Sequence, residues 1–164
     1  MGQISKSIST PVVTRTRQGF PKESENAFVD STGSVDRNDL VVSIFVVATC
    51  VGALPIGVTI AGSKSEATYT SVFRLLKQLT EDVDITSALN PNLAMTDHDV
   101  GIRNSLRNVW PHITLLLCLF HVLQAVWRYL FSKESGIEKH IRPQLFAKFK
   151  TCVYANNSQQ ILAK

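Results

Sequence analysis

Residues 40–62, LVVSIFVVATCVGALPIGVTIAG, contain no charged side chain. A run of that length can cross a membrane as one helix, or it can supply two strands of a buried sheet. Its residues favour strands. Gly52, Pro55 and Gly57 interrupt it, and its first half is dense in β-branched side chains, which suit a pleated surface and crowd a helix. The expected structure is LVVSIFVVAT as one strand, CVGAL as a turn and LPIGVTIAG as the next strand, with a membrane span as the alternative. A second apolar run, 113–131, carries His121, Gln124 and Arg128. Polar groups at that spacing indicate a buried amphipathic helix.

A chain of 164 residues suggests one domain with a sizeable core. Charged residues make up only 18 %, so much of the surface should be lost to burial. The net charge of +4 allows an anionic partner without requiring one. Cys50, Cys118 and Cys152 are odd in number and widely spaced, which argues against a disulfide framework or a zinc finger and for a reducing compartment. The N-terminus has no apolar signal-peptide core, and Met1-Gly2 is followed by Lys6 where a myristoylation signal prefers Ser or Thr.

Along the chain, residues 1–23 are polar and basic with little periodicity and are expected to form a flexible arm. NAFVDSTGS gives a strand ending at Asp30, followed by turn chemistry. The two strands of the uncharged run come next. Ser63-Lys64-Ser65-Glu66 has capping-box spacing, and a helix should run to about Leu79 with Val72, Leu75, Leu76 and Leu79 on one face. NLAMTD is a fourth strand. Asp97 or Asp99 caps a helix whose Ile102, Leu106 and Val109 share a face, and Trp110-Pro111 ends it. HITLLLC is a fifth strand, LFHVLQAVWRYLF another helix, and the remainder more helix. The order is βββαβαβα: a mixed five-stranded α/β sheet flanked by helices, with a helical tail.

In such a sheet the first strand lies beside the fourth, where the winding changes, and open α/β sheets place their sites outside the carboxyl ends of strands at that point. Asp30 and Asp97 would occupy those two ends. Each also has a plainer reading: Asp30 as a turn former, Asp97 as a helix cap. Asp99 is better read as a cap or surface residue, His98 as an exposed neighbour, and Glu66 as part of a capping box. Cys118 and His121 stand three apart and would share a helix face. Two ligands do not make a structural zinc site. They are either a packed pair or a pair whose His orients an acid or touches phosphate. Trp110, Trp127, Tyr129 and Phe131 read as core, and Arg103, Arg107 and Arg128 as a solvated helix face.

The segments FVDSTGS, LPIGVTIAGSKSEATY, NPNLAMTDHDVGIRNSLRNVWP and LLLCLFHVLQAVWRYL, in that order, resemble the catalytic domain of Mutator-like element (MULE) transposases, over about residues 24–160. The resemblance implies a ribonuclease H-like fold and metal-dependent cutting and joining of DNA. It places Asp30 and Asp97 as the first two acids of a triad that holds Mg²⁺ or Mn²⁺, and Cys118 and His121 in a Cys-x-x-His signature, with His121 in the catalytic set. It implies transposon ends and target DNA as partners, a possible homo-oligomer, nuclear location, no membrane and no small-molecule substrate.

The third acid of such a triad, a Glu on a later helix, has no match, since Glu134 and Glu138 come too soon. The resemblance therefore implies a fragment: an arm over 1–23, an incomplete core over 24–132, and over 133–164 the start of a helical insertion. A non-catalytic DNA-binding or regulatory protein derived from a transposase is the alternative. The chemistry suits the residue types. Two cations about 4 Å apart stabilise the attacking and leaving oxygens of an in-line displacement at phosphorus, and Mg²⁺ takes carboxylate and water oxygens.

Overall fold

The computed structural model describes residues 5–33, 37–83 and 88–155. The chain divides into two compact units, Met1–Leu117 and Cys118–Lys164. That division falls earlier than the expected boundary at 132.

The first unit is built on a six-stranded mixed sheet. Its strands are β1 (Ser5–Ile8), β2 (Asn26–Thr32), β3 (Val41–Thr49), β4 (Gly52–Ala61), β5 (Leu93–Thr96) and β6 (Thr114–Leu117). They lie in the order β1-β4-β3-β2-β5-β6. The uncharged run is the β3–β4 hairpin, and no helix among the described residues is long and apolar enough to cross a membrane. Its turn is shorter than expected, only Cys50-Val51, and Gly52 accepts the left-handed φ of 117° that resumes the strand. Pro55 lies inside β4, at a bulge: Phe45 pairs with Gly57 and Val46 with Pro55, leaving Ile56 as the extra residue. A bulge is where a strand tolerates proline, because the ladder is already interrupted there.

The sheet has six strands rather than five because residues 5–8 pair antiparallel with β4. The expected flexible arm over 1–23 is thereby corrected for residues 5–23. The next segment is helix α1 (Pro11–Gly19), followed by a 3₁₀ turn, Glu23–Glu25. Thr10 caps α1 by accepting from the Val13 amide, and Pro11 starts it with a φ already suited to a helix. The helix packs against β4 through Val13, Thr16 and Arg17, and Arg17 donates to the Ile56 carbonyl at 3.1 Å.

Helix α2 (Glu66–Val83) runs past the expected end, and its buried stripe is Tyr69, Val72, Phe73, Leu76 and Thr80. Leu75, expected in that stripe, is 41 % exposed. Ser65, not Ser63, caps α2 by accepting from the Thr68 amide. The Glu66 carboxylate instead accepts from the Asn104 and Asn108 side chains of α3 (Val100–Val109). Between the same helices the Ser105 hydroxyl donates to the Glu66 carbonyl and accepts from Thr70. Trp110, fully buried at the end of α3, donates its indole N–H to the Leu89 carbonyl at 3.0 Å and lies edge-on to Phe45. As expected for Trp110, this is the core.

The second unit contains α4 (Leu119–Phe131) and α5 (Arg142–Val153), which pack on each other. The expected helix over the tail is found only as Arg142–Val153, and the rest of that expectation, 156–164, lies outside the described residues. Trp127, Tyr129 and Phe131 are 44 %, 58 % and 42 % exposed, which corrects their reading as core. Helical spacing shows which residues share a face, not whether anything covers that face.

Candidate metal and DNA site at the strand ends

β2 is antiparallel to β3 on one side and parallel to β5 on the other. The winding therefore changes at β2–β5, and the first and fourth expected strands are the neighbours. The parallel register is Asn26 with Leu93, Ala27 with Ala94 and Phe28 with Met95. The pairing ends there; Asp30 lies two residues further along β2, and Asp97 is the residue that follows the end of β5. Ala27 and Val29 are buried while Asn26, Phe28 and Asp30 are exposed. By strand alternation Asp30 belongs to the open face.

Asp30 is not a turn former. β2 continues to Thr32, Asp30 pairs with Ile44, and its Oδ1 accepts from the Ser31 amide at 3.0 Å. Asp97 is not the cap of α3 either. Asp99 is, its Oδ1 accepting from the Ile102 amide at 2.9 Å. Asp97 Oδ1 accepts from the Asp99 amide at 3.1 Å and, more weakly, from the Thr96 hydroxyl at 3.4 Å. Two successive aspartates thus divide the labour: the first folds the chain off the strand, and the second starts the helix. His98 between them is exposed. Gly101 permits the close approach of α3 to the start of α2, since a Cβ there would lie 3.1 Å from Asp99 Oδ1 and 3.3 Å from the Lys64 carbonyl.

Under the open face runs a row of hydroxyls that sequence reasoning missed. Ser7, Thr59, Ser43 and Ser31 are cross-strand neighbours on β1, β4, β3 and β2. Such small side chains let α2 approach the sheet. Ser7 donates to the Val72 carbonyl of α2 at 2.8 Å, and Ser31 donates to Ser43 at 2.6 Å. The Tyr69 hydroxyl, also from α2, hydrogen-bonds Ser31. Tyr69 is 1 % exposed. Burial, with the charges of Asp99 and Asp97, pushes its phenol up to about 12 despite the opposing Ser31 hydrogen bond. The sequence signal for this row is serine and threonine at alternate strand positions, which looks like polar interruption until the strands are registered.

Tyr69 therefore links the site to stability at high pH. Below pH 10 the phenol is neutral in the folded and unfolded chain alike. Between pH 10 and about 12 the unfolded chain gives up its proton first, so stability falls as pH rises, by about 3 kcal/mol in all. Urea unfolding of Tyr69→Phe in EDTA should lack that loss between pH 9 and 11.5. A slope equal to that of the unsubstituted protein would disprove the linkage.

Cys118 and His121 belong to the second unit. Cys118 is the residue before α4 rather than part of the helix, and His121 lies in its first turn. Both are partly buried. Among the described residues no group of three or more His, Cys, Asp or Glu is placed to hold a metal ion. Glu138, too early in sequence for the third acid, pairs with His140 at 3.4 Å on the surface.

No curated protein matches the chain. A family model described as the MULE transposase domain matches residues 28–125, a span that takes in Asp30, Asp97, Cys118 and His121, and with more than half of its length matched the chain belongs to that family.

Proposed function

We propose that the site at the ends of β2 and β5 carries metal-dependent DNA strand cleavage and joining, with Asp30 and Asp97 as the carboxylates that hold Mg²⁺ or Mn²⁺. The observation that supports it is the parallel pairing of β2 with β5, whose register, continued by two residues, would bring these acids level. Mg²⁺ is usually held by one or two carboxylates, its other positions going to water and substrate phosphate. Two adjacent aspartates fit that demand, and a third protein ligand is not assigned. When bound, the cation supplies Lewis-acid stabilisation of charge on the phosphoryl group. The chain's own residues hold the carboxylates. The Ser31 amide donates to one oxygen of Asp30, and the Asp99 amide to one of Asp97. His121 is proposed, on the family resemblance, to contact DNA phosphate. Transposon ends and target DNA are the substrates on this reading, and the nucleus is where they would be met.

The test is Mn²⁺ binding, followed by the loss of the free-ion electron paramagnetic resonance signal. The unsubstituted protein should take up Mn²⁺, and the double variant Asp30→Asn, Asp97→Asn should not, with unchanged circular dichroism. Equal uptake by both, or uptake by neither, defeats the metal reading. DNA binding without Mn²⁺ uptake would replace it with the non-catalytic DNA-binding alternative.

A further inference from the structure

The first 117 residues hold ten Lys and Arg against eleven Asp and Glu, whereas residues 118–155 hold six against two. The second unit thus has a formal charge of +4 over its described residues, as large as that of the whole chain. The same short unit carries a concentration of exposed aromatic surface. On α4, Phe120, Gln124, Trp127 and Phe131 recur at helical spacing along one face. On α5, Phe146 and Lys150 recur four residues apart, and Tyr154 follows at the end of the helix. Trp127 stacks on Phe131 with ring centres 4.1 Å apart and meets the edge of Phe146 at 5.0 Å.

Between the helices lies a groove of about 320 Å³, lined by Phe120, Leu123, Gln124, Trp127, Phe146 and Lys150. Lys150 also borders a second hollow, which ends at Tyr154. Phe120 is 65 % exposed and Tyr154 60 % exposed. An apolar groove alone does not identify its occupant. Here Lys150 lines both hollows, one with Phe120, Trp127 and Phe146 and the other with Tyr154, in a unit of positive charge, and a cation shared between aromatic sites matches a strand of bases joined by phosphates. Aromatic faces stack bases of any sequence, and cations track the backbone between them.

We propose that the α4–α5 groove binds unpaired DNA, stacking one base against Trp127 and Phe146 and another on Tyr154, with Lys150 on the intervening phosphate and Gln124 facing a base edge. A paired duplex keeps its base faces covered, so single strands should bind more tightly. This rests on the reading that the protein acts on DNA, but it does not require Asp30 or Asp97.

The full chain would be titrated with fluorescein-labelled oligo-dT and with a duplex of equal length, following anisotropy and tryptophan emission. Trp110 is fully buried, so quenching reports Trp127. Tighter binding of the single strand, quenching on binding, and at least about tenfold weaker binding by Trp127→Ala and by Lys150→Glu are expected. Lys150 is exposed, so its variant answers the question should Trp127→Ala misfold. The groove variants should weaken oligo-dT binding equally in EDTA and in Mn²⁺. Loss of Mn²⁺ uptake alone therefore leaves the groove standing, and loss of oligo-dT binding alone leaves the metal site standing. No binding of oligo-dT, binding unaffected by either groove variant, or self-association through the groove without DNA binding would overturn the proposal.

Discussion

Asp30→Asn and Asp97→Asn, made singly, are each expected to weaken Mn²⁺ binding by more than about 100-fold. Removing even an outer partner of a metal ligand costs about 10–100-fold in affinity, and these residues are the proposed ligands themselves. Stability in EDTA should move the other way, or not at all. Asparagine keeps an Oδ1 that can accept from the Ser31 or Asp99 amide, so the local turn survives. On the proposed pairing of the two acids it removes one of two like charges, and like charges held close are unfavourable. Opposite signs for metal affinity and apo stability are the mark of carboxylates kept for a ligand rather than for the fold. Calorimetric Mn²⁺ titration and urea unfolding in EDTA measure the two. A variant that loses both together would make the aspartate a structural residue and remove it from the site.

Trp110→Ala is expected to cost about 3–5 kcal/mol, the range for a large aromatic removed from a packed core. The ring is fully buried, touches Phe45 edge-on, and gives its N–H to the Leu89 carbonyl. Alanine leaves a cavity and an unpaired buried acceptor at once, and the second effect adds to the first. Trp110→Phe keeps much of the ring contact and loses only the donor, so its cost should be smaller by half or more. Since domains have only about 5–15 kcal/mol in hand, the alanine variant should be largely unfolded at modest urea. The position also matters for the site: Trp110 anchors the far end of α3, whose near end carries Asp99 and, just before it, Asp97. A urea midpoint shift worth less than about 1 kcal/mol would show that the pocket closes around the smaller side chain.

The hairpin was legible because glycine, proline and β-branched residues divide an apolar run in a way a helix does not tolerate. The end of β5 just before Asp97 was legible because a short apolar run gives way there to charge. The N-terminal strand and helix were not legible. β1 shows α2 a serine rather than an apolar residue, and α1 buries a valine, a threonine and an arginine, so neither displays a hydrophobic period. The available signal was Thr10-Pro11, a cap followed by a first-turn proline. Tyr69 was hidden for the opposite reason: its spacing on α2 reads as ordinary core, and only registration of β2 with β3 brings Ser31 and Ser43 beneath it. In the second unit the periodicity of α4 was correct to the residue, while the exposure of its aromatics was invisible, since a sequence shows a face and not its cover.

The pairing of β1 with β4 has a consequence for the order of assembly. Ser5–Ile8 precedes its partners, Val58–Ala61, by some fifty residues along the chain. The β3–β4 ladder closes over a two-residue turn and needs no distant partner. Loop closure must precede the reward for non-local contacts, so the hairpin forms the early template and the upstream strand Ser5–Ile8 is added to its outer edge late. Pulse-labelled hydrogen exchange during refolding should protect the amides of Phe45 and Val47 before that of Lys6. Until then the chain carries an uncovered β4 edge, a template for pairing with another chain, and Ser5–Ile8 is the strand that closes it.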